Sequence, residues 1–188
     1  MAAFMIELSA ATQQVYRTKK EKYIAKFSEQ FGIDPKLFRA IVDHESQGFA
    51  RAERNDRARL EKQKWVWSVI NQYGLDPEEP EIWHSLGYSQ ILFLAAMDLG
   101  LENWCKERGL EVKPVILLDI ETNLYWAAKL IKKRCMNKYS KPEDIAAAYN
   151  AGSMRWDDAD GDGIKDPDER YENQKYVSSI MAIYNKLP

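Results

Sequence analysis

FRAIVDHESQGF, residues 38–49, decides how the chain is read. Phe38, Ile41 and Val42 fall at helical spacing, with Leu37 just upstream. Asp34 stands where a helix N-cap is expected, Pro35 opens the first turn, and Gly48 supplies a stop. Glu45 lies one turn beyond Ile41 and shares its side, because residues four apart stack on a helix. A carboxyl group beside apolar side chains resists ionising, since its charge is poorly solvated. It then keeps a proton at a pH where an exposed glutamate has lost it, as a general acid must. Taken alone, HESQ also fits an ordinary surface or helix-end carboxylate.

Working outward, most of the chain has helical spacing. Residues 10–31 place Val15, Ile24, Phe27 and Phe31 near one side, and Gly32 ends that run. RARLEKQKWVWSVINQ, residues 57–72, reads as a charged and aromatic helical segment, and DPEEPE at 76–81 as a turn-rich connector. YSQILFLAAMDLG reads as a short apolar helix ending near Gly100. Asp119 caps a helix that faces Leu124, Ala127, Ala128 and Ile131 inward. Ser140 and Glu143 have capping-box spacing ahead of IAAAYNAG, with Pro142 in its first turn. Val177, Ile180, Met181 and Tyr184 mark a last helix. The expected fold is mostly α, one domain over residues 1–188, with a small β element between 50 and 85.

Composition excludes several classes. At 188 residues the chain is long enough for a sizeable core. A net charge of -2 argues against a dominant nucleic-acid footprint. Cys105 and Cys135 form no metal-like cluster and are expected as separate thiols. His44 is followed four residues later by Gly48, so HExxH is not formed, and His84 is the only other histidine. A metalloprotease is therefore poorly supported. No GxSxG elbow, paired CxxC or phosphate loop is present. The N-terminal segment has no basic region before its apolar start and no long apolar run, so neither a signal peptide nor stable membrane insertion is expected.

HESQGF at 44–49, SLGYSQIL at 85–92 and AAAYNAG at 146–152 resemble, in order, three motifs of the soluble-lytic-transglycosylase-like domain of the lysozyme-like superfamily. The resemblance continues through ETNLYWAAKLI at 121–131 and YENQKYVSSIMAIY at 171–184, and spans about residues 33–186. It implies a helical fold related to goose-type lysozyme. It also implies cleavage of the β-1,4 bond between N-acetylmuramic acid and N-acetylglucosamine in peptidoglycan, with a 1,6-anhydro product and no catalytic cofactor.

Residue by residue, the resemblance makes Glu45 the catalytic acid and base. Gln90 matches a glutamine that orients sugar or backbone in the cleft. Gly87 matches a glycine that brings backbone close to the groove. Tyr88 and Ser89 depart from the family's usual Leu and Met, so Ser89 leaves one saccharide subsite without its thioether wall. Tyr149 matches a tyrosine beside the catalytic carboxyl. Asn150 reads equally as a sugar contact or a turn residue, and Gly152 as structural. Tyr176 reads equally as a groove tyrosine or as core. Glu53, in RAE at 51–53, lies where some relatives open an insert with a second acid; a surface or salt-bridge role is the preferred reading, and activation of water there would imply hydrolysis. Trp65 or Trp67 is expected to face substrate. His44 reads as incidental and Ser46 as support for the helix end.

DADGDGIKDPDE, residues 158–169, satisfies the D-x-D-x-D-G-x5-E pattern of an EF-hand loop. Asp158, Asp160 and Asp162 offer alternating hard oxygen ligands, Ile164 a carbonyl, Asp166 a water-mediated contact and Glu169 a bidentate carboxylate. Lys165 stands where the pattern usually has its apolar residue. A structural Ca²⁺, with no part in catalysis, is the expectation, against an ordinary solvated acidic loop.

The leading functional expectation is a peptidoglycan lytic transglycosylase, with a hydrolytic muramidase as the alternative and a non-catalytic wall-binding or virion domain as a third. Its partners would be bacterial glycan strands, with no nucleic acid. Synthesis in a cytoplasm and action at periplasmic peptidoglycan are expected, by holin-assisted release of a phage lysin or as a virion component. Bacterial storage or unusual secretion is left open.

Overall fold

The computed structural model describes residues 10–46, 53–158, 165 and 169–188. Helix α1 (Ala10–Phe31) packs along α7 (Ile120–Leu130). Ile24 and Phe27 of α1 are buried, but Val15 is 55% exposed, so the apolar side expected for α1 holds only in its second half. Between these two come α2 (Pro35–Ser46), β1 (Glu53–Asn55), α3 (Arg57–Leu60), α4 (Lys64–Tyr73), β2 (His84–Leu86), β3 (Ile91–Leu92), α5 (Phe93–Asp98) and α6 (Leu101–Lys106). After α7 come a wide π-type turn over Ile131–Cys135, then α8 (Pro142–Ala151) and α9 (Gln174–Tyr184). The architecture is mostly helical with one small antiparallel sheet of order β1-β2-β3, as the patterning predicts.

Local chemistry sets α2. The Asp34 carboxylate accepts from the Lys36 amide at 2.9 Å, satisfying one of the donors a helix start leaves open. Leu37, Phe38, Ala40, Ile41 and Val42 are then buried. α9 packs against both α2 and α8, and Tyr184 donates to Asp34 at 2.8 Å, tying the end of α9 to the start of α2. Asp119 caps α7 through the Thr122 amide at 2.8 Å. One apolar core collects side chains from Ile24 to Ile180. Among the described residues, no helix is long and apolar enough to cross a membrane.

Three sequence expectations are corrected. The run at 57–72 is two helices, α3 and α4, separated by Glu61–Gln63. The apolar run after Ser85 does not begin as helix. Ser85 pairs with Leu92 and Leu86 with Ile91, making a hairpin, and α5 starts only at Phe93. The turn requires left-handed backbone at Gly87 (φ +73°) and Gln90 (φ +48°), which helix cannot contain. Ser140 caps nothing: Lys141 occupies the cap position of α8, with no side-chain cap bond.

Of the expected calcium ligands, Asp160, Asp162, Ile164 and Asp166 lie outside the described residues. The base of that loop is described. Trp156 and Tyr171 form an antiparallel bridge, and the Asp157 amide donates to the Arg170 carbonyl at 2.8 Å. Asp158 and Glu169 adjoin this bridge, at the loop's first and twelfth positions.

Candidate active site

α2 delivers Glu45 to the wall of a cavity of about 520 Å³. The Glu45 side chain is only 6% exposed. The Tyr176 hydroxyl, from α9, donates to Glu45 Oε1 at 2.6 Å. Burial pushes the Glu45 carboxyl above the usual carboxylate range; the Tyr176 hydrogen bond and the Arg54 charge pull it partly back. The outcome is a carboxyl group that retains its proton more readily than an exposed one, yet is held when it ionises.

β1 supplies the electrostatic neighbour. Arg54 points toward Glu45, with Nη1 4.0 Å from Oε2. Its Nε bonds both oxygens of Asp56 at 3.1 Å. Asp56 also accepts from Ser85 Oγ at 2.6 Å and lies 3.5 Å from Arg59 Nη2. Its two oxygens thus meet two guanidinium groups and a hydroxyl, the partners that a buried carboxyl group needs. The Asp56 charge in turn favours the protonated form of Glu45.

The hairpin builds the facing wall around Asn123 of α7. Asn123 is fully buried. Its Nδ2 donates to the carbonyls of Leu86 at 2.7 Å and Leu117 at 2.8 Å, and its Oδ1 accepts from the Ser89 amide at 3.0 Å and hydroxyl at 2.8 Å. A Cβ on Gly87 would come within 2.8 Å of Asn123 Cγ and of the Leu117 carbonyl, so only glycine fits. Gln90, at the end of this turn, lines the cavity, and its Nε2 donates back to the Gly87 carbonyl at 3.1 Å. The Tyr149 hydroxyl donates to the Ser89 carbonyl at 2.8 Å, joining α8 to the same turn.

Glu45, Gln90, Tyr149 and Asn150 are therefore brought together around one cavity. Asn150 is half committed elsewhere: its Oδ1 accepts from Asn173 at 3.2 Å. Three expected placements change. Ser89 is fully buried on Asn123 and is not a cavity wall. Tyr176 does not line the cavity and acts through Glu45. Glu53 is not brought to the cleft; strand alternation turns it away from Arg54, and its carboxylate meets His84 Nδ1. Trp65 lines the cavity, whereas Trp67 packs edge-on to Trp83 and bonds the Glu61 carbonyl. His44 is not incidental: its ring meets that of Tyr176 edge-on at 4.8 Å, and backs the tyrosine that holds Glu45. Ser46 bonds the Val42 carbonyl at 3.0 Å, as support for the helix end.

Arg54, Asp56 and Asn123 were missed by sequence reasoning. Arg54 and Asp56 follow the RAE element without belonging to it, and only strand register shows which way they face. Asn123 lies inside ETNLYWAAKLI, where a polar residue three beyond Ile120 on a buried helix face was the available signal. Cys135 also lines the cavity, but burial pushes its thiol up to about 12, so it is not a nucleophile at neutral pH.

The family model described as Transglycosylase SLT domain matches residues 22–170. Comparison with curated proteins and with solved structures returned no match.

Proposed function

We propose, because the chain belongs to the transglycosylase SLT domain family, that it cleaves the β-1,4 bond from N-acetylmuramic acid to N-acetylglucosamine in peptidoglycan and leaves a 1,6-anhydro end. The observation that carries this reading is Glu45: a carboxyl group 6% exposed, at a cavity wall, with a tyrosine hydroxyl 2.6 Å away. Protonated Glu45 gives its proton to the glycosidic oxygen as the C1–O bond breaks. The substrate's 2-acetamido oxygen bonds to C1 and carries the developing positive charge. Glu45, now a carboxylate steadied by Tyr176 and Arg54, takes the proton of the C6 hydroxyl. That oxygen attacks C1, the acetamido group leaves, and no water is consumed. One carboxyl performs both proton transfers.

Two features favour this over hydrolysis by a route in which a second carboxylate activates water. Glu53 is on His84, and Asp56 is occupied by Arg54, Arg59 and Ser85. The test is mass spectrometry of muropeptides released from purified peptidoglycan, with Glu45→Gln as the control. Anhydro ends are expected from the wild type, and a loss of about 10³-fold or more in rate from the variant, which keeps the shape but cannot donate a proton. Reducing ends would establish hydrolysis instead, and unchanged release by Glu45→Gln would remove the residue from the chemistry.

A further inference from the structure

The proton transfers at Glu45 leave most of the cavity's charge unused. Among the described residues, Arg54, Arg59, Arg134 and Arg155 line the cavity, and Glu45 is the one acidic side chain beside them. Arg54 lies 4.0 Å from Glu45; the other carboxylates that pair with these arginines are Asp56, Asp98 and Glu172, none of which lines the cavity. Four cations therefore face the cavity against one carboxyl group. This is a concentrated positive surface in a chain of net charge -2.

The four are not equally committed. Arg54 is forked onto Asp56 beside Glu45. Arg134 is paired with Asp98 and lies over the Trp65 ring at 5.3 Å. The π-type turn at Ile131–Cys135 widens the helix there, so Leu130, Arg134 and Cys135 all reach the same wall. Arg59 and Arg155 are held loosely. Arg59 reaches the Asn150 carbonyl at 3.4 Å and Asp56 at 3.5 Å. Among the described residues, Arg155 has a single carboxylate contact, to Glu172 at 3.9 Å, and both side chains are more than half exposed. A guanidinium has five donors, and an exposed pair at that distance contributes little. Both residues keep donors for a ligand.

The ligand these donors suit is an anion, and the sugars are not anionic. N-acetylglucosamine is neutral, and the lactyl carboxyl of muramic acid is consumed in its amide bond to the peptide stem. The carboxylates in the polymer are those of the stem itself. We propose that Arg59 and Arg155, next to Arg134 and Trp65, bind stem-peptide carboxylates, so that the protein selects glycan with ionised stems over glycan whose stem carboxyls are neutral. This rests on the reading of the cavity as a peptidoglycan site. Planar guanidinium forks match carboxylates bidentately, which makes arginine rather than lysine the expected residue.

The experiment compares kcat/KM on intact peptidoglycan and on the same polymer after its stem carboxylates are converted to neutral amides with a carbodiimide and ammonia. The wild type is expected to favour the carboxylate-bearing form by about tenfold or more, and the Arg59→Gln/Arg155→Gln variant to bring the ratio within about twofold of unity. Arg155→Gln alone, an exposed position, should lower the same ratio and serves if the double variant melts early. A ratio unchanged in the variants would overturn the proposal, as would equal losses on both substrates. Wild-type protein that cleaves neither substrate would overturn the peptidoglycan reading itself, and this inference with it.

Discussion

At the residue scale, the chemistry rests on how Glu45 is poised. Burial raises its pKa; the Tyr176 hydroxyl and Arg54 lower it. A general acid works only while protonated, so the alkaline limb of the kcat/KM profile reports the carboxyl in the free protein. The Tyr176 hydroxyl stabilises the ionised form, and its removal must push the pKa further upward. Tyr176→Phe is therefore expected to move that limb to higher pH, while lowering the maximal rate by about tenfold, because the carboxylate loses its anchor. The profile on soluble glycan strands checks this. A limb that stays in place, or moves to lower pH, would mean that Tyr176 does not govern Glu45. Burial also pushes the Tyr176 hydroxyl itself well above its ordinary value, so the tyrosine remains a donor throughout the working range.

At the scale of the element, the hairpin from His84 to Leu92 matters most, because it fixes Gln90 and the Ser89 carbonyl at once. Gly87→Ala would place a methyl against Asn123 and the Leu117 carbonyl at positive φ. The expected cost is about 2 kcal/mol or more in urea unfolding, with activity falling in step; a change under about 0.5 kcal/mol would show that the turn adjusts freely. This element was also the least legible in the sequence. YSQILFLAAMDLG carries no alternation to separate the two-residue strand β3 from the helix that follows. By contrast, α2 and α7 could be read directly, since each joins helical spacing to a local signal, Asp34 or Asp119, and α9 from its spacing alone. Ser140 shows the limit of such signals: its spacing to Glu143 was right, but Lys141 sits at the cap. Val15 failed for another reason, because no described residue buries it.

At the scale of the whole molecule, the site is an assembly of distant segments, and that explains which parts of it could be foreseen. Glu45, Gln90, Tyr149 and Asn150 each sit in a short stretch that carries its own resemblance. The roles of Arg54, Asp56 and Asn123 exist only through pairings made by the folded chain, such as Ser85 with Asp56 and Asn123 with Ser89. Tyr176 is the extreme case, 131 residues from the carboxyl it holds. It also lies beyond residue 170, where the family match ends. α9 is nonetheless integral to the site. It buries Val177 and Ile180, packs against α2 and α8, and anchors Asp34 through Tyr184. Burial of those two side chains alone contributes about 3–6 kcal/mol, a large share of the roughly 5–15 kcal/mol that holds a domain of this size. A chain ended after residue 170 is therefore expected to lose both its cooperative thermal transition and its release of muropeptides. Near-ultraviolet circular dichroism through a melt, with muropeptide release measured on the same preparation, checks this. A truncated chain that still melts sharply and cleaves peptidoglycan would show that α2 holds Glu45 without α9, and that Tyr176 only trims the pKa of a site already complete.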